Sequence, residues 1–286
     1  MKAAALPLAS ALLDPFDALF LVLTVLVLVP LMCRWHTGAP LAPLAEGGVR
    51  ERVVENFVVW LAFYGAVYAA MYAPTPLRRW VFAPFKTNPE YPSARAVSEE
   101  ILWSAGSVAV ATLWQIAVDA SAERCGAIDE VPLGAWHALP AAAIVLWADS
   151  HFYWQHRLMH SPPLYQRFHK IHHRSKNPNP WSGLLFHPVE AAVYFSPSVV
   201  CLVAPWLVIP LLRRALHFGL LLFPLRGHMG HGWPNRPDPS HYVHHVKFNF
   251  NFGAGGDYWD EACGTFYGPS YANCTQRAPS KELRSG

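Results

Sequence analysis

Apolar residues run almost unbroken over 17–34, 53–73, 101–118 and 133–150, and again across roughly 190–225. A helix crossing a bilayer needs about 20 mostly apolar residues, so the pattern predicts four spans and a hairpin. Leu19 to Met32 carries no charge, and Asp14 and Asp17 stand where a cleaved signal peptide would be basic, so the first segment reads as a retained anchor. Pro197, Pro205, Pro210, Pro224 and the pair Arg213-Arg214 interrupt 190–225. That segment therefore either crosses twice or dips into the bilayer and returns.

Past residue 150 the pattern changes. Polar positions now recur at intervals of three and four, and they are histidines: His156 and His160, then His169, His172 and His173, then His241, His244 and His245. With His187 and His228 between them, these clusters gather ten of the fifteen histidines. At this histidine content a random chain would hold about 0.04 His-x-x-His-His runs, counted as a periodicity match, and this chain holds two. On an α-helix, positions i, i+3 and i+4 share a face, so each cluster is expected to aim its imidazoles at one point. That is the anatomy of a metal site.

Composition agrees with a membrane protein: 53% of residues are hydrophobic and 14% charged, too apolar for a soluble domain. Orientation follows from charge. The loop 119–132 carries Asp119, Glu123, Asp129 and Glu130 against Arg124, whereas 157–176 carries Arg157, Arg167, Lys170, Arg174 and Lys176. The histidine side is thus expected to be cytosolic. A net charge of +3 without a basic stripe gives no reason to expect nucleic acid. Five scattered cysteines form no CxxC pair and suggest no disulfide framework.

Several metal chemistries are excluded by pattern. There is no HExxH and no Glu-x-x-His, which removes the zinc protease and the four-helix carboxylate di-iron patterns. A closed structural zinc site needs four ligands and a haem one or two. Ten histidines suit two ions with open positions for a small molecule. Gly253-Ala-Gly-Gly256 lacks dinucleotide-site spacing, so electrons for a redox reaction must come from a separate carrier.

Four runs carry a resemblance: Asp149-Ser-His-Phe-Tyr-Trp-Gln-His156-Arg-Leu-Met-His160; Phe168-His169-Lys-Ile-His172-His173; Trp181 through His187 to Glu190; and His241-Tyr-Val-His244-His245 through Asn251-Phe-Gly253 to Trp259-Asp260 and Gly264-Thr265. Over about 145–266 the chain resembles the fatty acid hydroxylase/sterol desaturase superfamily of membrane non-haem di-iron oxidases. The resemblance implies that His156, His160, His169, His172, His173, His187, His228, His241, His244 and His245 ligate iron. Asp149, Arg157 and Asp260 would support them, Asp260 by orienting a ligand or closing the C-terminal fold, and Glu190 would orient His187. His151 and His231 are further candidates, His151 reading as a helix-end or supporting residue because it lies about 140° from His156 on the wheel. Cys263 departs from the family, standing where a Phe commonly precedes the Gly-Thr pair, and the segment between His228 and His241 is short.

The expected architecture is all-α: about four transmembrane helices, a re-entrant or spanning hairpin, and a cytosolic histidine-rich helical cap. It divides into a membrane-spanning region 1–140, a catalytic region 141–268 and a polar tail 269–286. The resemblance implies two Fe ions, O2 as co-substrate, and electrons from NAD(P)H through cytochrome b5 or a ferredoxin-type donor. It also implies a lipid substrate, a sterol or sterol intermediate first, with a fatty acyl, sphingoid or carotenoid hydroxylase as the alternative and a non-catalytic metal binder after that. In a eukaryote the membrane would be that of the endoplasmic reticulum.

Overall fold

The computed structural model describes residue 44 and residues 47–127, 134–232, 240–253 and 256–267; the expected span at 17–34 and the tail 269–286 lie outside these. Four long helices form the bundle: α1 (Gly48–Tyr72), α2 (Ala94–Arg124), α3 (Ala138–Met159) and α7 (Pro210–Gly227). Short elements complete it: α4 (Pro162–Arg167), α5 (Pro188–Tyr194), α6 (Val199–Val203), α8 (Ser240–Lys247) and α9 (Tyr258–Ala262). Among the described residues there is no strand, only one isolated bridge between Lys86 and His231.

Two helices, α1 and α2, are long and apolar enough to cross a membrane; α1 covers the expected span 53–73 up to Tyr72, and α2 contains 101–118. The span expected at 133–150 falls mostly in α3, whose carboxyl half carries Asp149, His151, His156 and Arg157 and is less apolar. Its outer face nevertheless exposes Leu139, Val145, Leu146, Trp154 and Leu158. The hairpin is asymmetric. Its first limb is a chain of short turns broken at Pro197 and Pro205, and its second is the continuous helix α7.

Pro224 was expected to kink or break α7, yet the helix continues through it to Gly227. A proline removes the N–H that would serve the carbonyl four residues earlier, here that of Leu220. The Tyr194 hydroxyl donates to that carbonyl at 2.7 Å. Arg213 likewise does not break the apolar run: it is buried, donating to the carbonyls of Pro205, Val208 and Ala127. Planar guanidinium suits this use, satisfying several turn carbonyls at once.

One apolar core runs through the bundle, joining Trp60, Tyr64 and Met71 of α1, Val108 and Ala111 of α2, and Leu221 and Leu225 of α7. Polar stitches fix its register. Ser104 and Ser107 of α2 donate to the carbonyls of Trp181 and Leu184 at 2.7 and 2.8 Å, and Tyr64 donates to Leu221 O at 2.6 Å. A Cβ on Gly183 would lie 2.6 Å from Pro224 O, so only glycine lets the 180–184 turn lie against α7.

The bundle has two chemically distinct ends. At one, Tyr72 at the end of α1 donates to Met229 O at 2.9 Å, Glu99 at the start of α2 pairs with Arg174 at 2.8 Å, and α3 and α7 stop at His160 and His228. At the other, Arg52 meets Asp119 at 2.8 Å, Asn56 bridges Gln115 and His217, and Ser121 donates to Leu202 O. Every histidine cluster lies at the first end.

Candidate metal centre

Nine of the ten expected ligands converge in two adjoining groups, one of His156, His160, His169, His173 and His244, the other of His172, His228, His241 and His245. Within each group the candidate ligand atoms lie within 4.8 Å of one another. Eight of the nine rings are buried and His160 is half-buried. The groups abut: the His173 ring is 4.8 Å from that of His245, and His156 is 5.3 Å from His241.

The assembly differs from the expectation that each cluster serves one point. In both His-x-x-His-His runs the first and last histidines join one group and the middle one joins the other. The run His169–Arg174 is a 3-10 helix, not α, so positions i and i+3 eclipse. His169 and His172 accordingly stack at 5.4 Å, while His169 and His173 meet edge-on with their Nε2 atoms 3.1 Å apart. The α-helical run of α8 repeats the arrangement with the groups exchanged, so the two runs interlock.

Ring orientation is fixed from outside. A carbonyl oxygen only accepts, so the Nδ1–H of His156 donates to Phe252 O (2.7 Å), that of His244 to Phe250 O (2.7 Å) and that of His228 to Pro224 O (2.6 Å). Glu190 accepts from His169 Nδ1 at 2.6 Å. Burial pushes the pKa of His156, His172, His173, His241, His244 and His245 well below the usual imidazole range, helped by neighbouring histidines, and that of His228 down to about 4. Neutral rings with Nδ1–H turned outward present bare Nε2 lone pairs inward.

Those lone pairs are spaced for an ion. His160 Nε2 lies 3.0, 3.1 and 3.2 Å from the Nε2 atoms of His169, His244 and His173, and His228 Nε2 lies 2.9 and 3.2 Å from those of His245 and His172. For imidazole–metal bonds of about 2.0–2.1 Å, neighbouring ligands stand about 2.9–3.4 Å apart. The donor set fits two transition-metal ions held by nitrogen. Nothing in either group is a thiolate or carboxylate.

The remaining candidates lie elsewhere. His187 stands outside both groups, because it caps α5: its Nδ1 accepts from Val189 N at 3.1 Å and its ring lies against Phe168. Glu190, expected to orient His187, binds His169 instead. His151 meets Ser196 Oγ at 3.0 Å. His231 donates to Met229 O at 2.7 Å and packs edge-on against Tyr72. Asp149 sits beside Tyr258, and Arg157 donates to the Tyr153 hydroxyl at 3.0 Å. Asp260 accepts from the N–H groups of Phe252 and Gly253 and from Thr265 Oγ1. The carbonyls of Phe250 and Phe252 had no sequence signal, since a backbone acceptor belongs to every residue; the nearest signal was the Asn251–Gly253 turn.

A cavity of about 30 Å³ opens against both groups, lined by His156, His172 and His241 and by Phe152, Phe186 and Phe223 among others. This is room for about two water-sized molecules, far below the roughly 300–1,000 Å³ of small-molecule sites. A diatomic gas fits it as it stands. A lipid must move the aromatic lining, and Phe223 is 55% exposed on the bundle surface.

The family model for fatty acid hydroxylase matches residues 141–265, and this region is similar to members of the fatty acid hydroxylase/sterol desaturase superfamily. Among curated relatives, a probable Delta(7)-sterol 5(6)-desaturase of Neurospora crassa is 32% identical over 133 residues, covering 44% of this chain and 37% of its own length. A Delta(7)-sterol 5(6)-desaturase of Aspergillus fumigatus is 31% identical over 150 residues, 50% and 42% of the two chains. Fatty acid hydroxylase domain-containing protein 2 of Homo sapiens is 35% identical over 127 residues, 43% and 38%. The matches thus span well under half of these relatives' length. No solved structure shows a significant match.

Proposed function

We propose that the chain is a membrane-bound, O2-dependent di-iron oxidase that hydroxylates or desaturates a lipid, most readily a sterol or sterol intermediate. The observation that carries this is the convergence of nine imidazoles in two adjoining groups, with the outer nitrogens of His156, His169, His228 and His244 tied back. Imidazole sites of this kind bind iron, copper, nickel and zinc. Iron bound there would supply the oxidising power, drawn from O2, that an unactivated C–H bond requires.

The chain's own residues do the rest. Glu190 and the carbonyls of Phe250, Phe252 and Pro224 hold the rings so that little reorganisation accompanies metal binding. Phe152, Phe186 and Phe223 exclude water from the cavity and offer an apolar wall to a lipid. Arg167, Lys170, Lys176 and Lys247 are exposed at the same end. This basic face suits an acidic electron carrier such as cytochrome b5 or a ferredoxin, on the cytosolic side of a multi-pass membrane protein, with the endoplasmic reticulum as the compartment in a eukaryote.

Sterol is favoured by the names of the Neurospora and Aspergillus relatives, and a fatty acyl substrate by that of the human one. The test is reconstitution of the iron-loaded chain with NAD(P)H, a reductase and carrier, and a panel of sterols and acyl lipids. Two irons per chain and an O2-dependent oxidised sterol are expected. Zinc bound without lipid oxidation would point to the non-catalytic metal binder.

A further inference from the structure

The two histidine groups are supported unequally. Among the described residues, three of five rings in the larger group have outward acceptors, on His156, His169 and His244, whereas in the smaller group only His228 has one. Two of those three acceptors belong to one loop. Phe250 and Phe252 are two residues apart, and both turn their carbonyls toward rings of the larger group.

The loop is built to do this. Phe248 and Asn251 both have positive φ, 64° and 57°, a conformation that is rare for side-chain-bearing residues and strained for a bulky one. Phe248 follows α8, where glycine commonly ends a helix, and its ring lies 4.8 and 4.9 Å from those of His160 and His173. Asn251 is held at both poles, its N–H on Thr265 O at 2.9 Å and its side-chain oxygen on Tyr267 N at 2.7 Å. The Asp260 carboxylate takes Phe252 N at 2.9 Å, Gly253 N at 2.7 Å and the Thr265 hydroxyl at 2.7 Å. A Cβ on Gly253 would lie 2.9 Å from that carboxylate and 2.6 Å from Gly256 O.

We infer that the loop 248–253, clamped by Asp260, is a positioning device for the five-histidine group alone, fixing the tautomer and aim of His156 and His244 through two backbone carbonyls. Asp260 touches no imidazole; it acts through the peptide units on either side of Phe252. The inference rests on reading the nine histidines as metal ligands.

The test is Co(II) titration of the full-length, metal-stripped chain in detergent, read by visible absorption and by bound cobalt per chain. The wild type is expected to bind two, with His228→Ala identifying the signal of the four-histidine site. Asp260→Asn should weaken the five-histidine site by about 10–100-fold, the usual cost of losing outer support, and leave the other unchanged. Thr265→Val, which spares both backbone bonds to the carboxylate, should weaken it less, and Thr265→Ser should restore it. If Asp260→Asn does not fold, the two Thr265 variants carry the comparison. A wild type that binds no cobalt would remove the ligand reading itself. Two wild-type sites with unchanged affinity in the folded variants, or equal weakening of both, would overturn the clamp.

Discussion

At the residue scale, the interlocking of the two His-x-x-His-His runs places neighbours on one helix in different histidine groups. His172→Ala and His244→Ala each remove one imidazole from a buried group whose remaining members stay in place. Both are expected to abolish activity, but by emptying different sites, leaving one metal per chain in each case. Metal analysis with His228→Ala and His169→Ala as references for the two groups distinguishes this from loss of both ions, which would contradict the partition. The convergence of nine histidines was legible because spacing of three and four on a short helix is visible in any chain. Which ring joins which group was not, because it depends on how the two runs pack against each other and on rotamers. His187 shows the converse: it lies near the clusters in sequence, yet Pro188 begins a helix for which its ring is the cap.

At the element scale, the hairpin was legible as an apolar run interrupted by prolines, and its limbs differ because their prolines do. Pro205 and Pro197 fall among short turns, whereas Pro224 is absorbed into α7 by a hydroxyl from α5. Nothing local to 210–227 announces Tyr194, thirty residues earlier along the chain. Tyr194→Phe should leave the buried Leu220 carbonyl without its donor, destabilising the bundle by about 1–3 kcal/mol. In a Pro224→Ala background the backbone N–H returns to serve the same carbonyl, and the cost of Tyr194→Phe should shrink. A double-mutant cycle in the detergent-solubilised chain measures the difference as a coupling energy. Equal costs in both backgrounds would mean that the hydroxyl has another use.

At the scale of the whole molecule, burying so many neutral imidazoles ties stability to pH. His228, held at about 4 when folded, has an ordinary value near 6.5 when unfolded, so the unfolded chain binds more protons as pH falls. The metal-free protein should therefore keep full stability above about 6.5 and lose it towards 4, by up to about 1.4 kcal/mol per pH unit for each such ring. Denaturation midpoints at several pH values check this, and a midpoint that rises on acidification would refute it. The same bundle places the Arg52–Asp119 pair and the histidine groups at opposite ends. Exposed Cys125 follows α2 at the pole of Arg52 and Asp119, while Lys170 is exposed among the histidines at the other. If the bundle crosses the bilayer with its metal end in the cytosol, a membrane-impermeant maleimide applied to sealed, right-side-out vesicles should label Cys125 from the non-cytosolic face. In a chain with its other cysteines replaced by serine, Lys170→Cys should resist that reagent until the vesicles are opened. Labelling of both from one face would show that the bundle does not span the membrane in this way, and labelling in the reverse order would invert its orientation and place the electron donor on the opposite side.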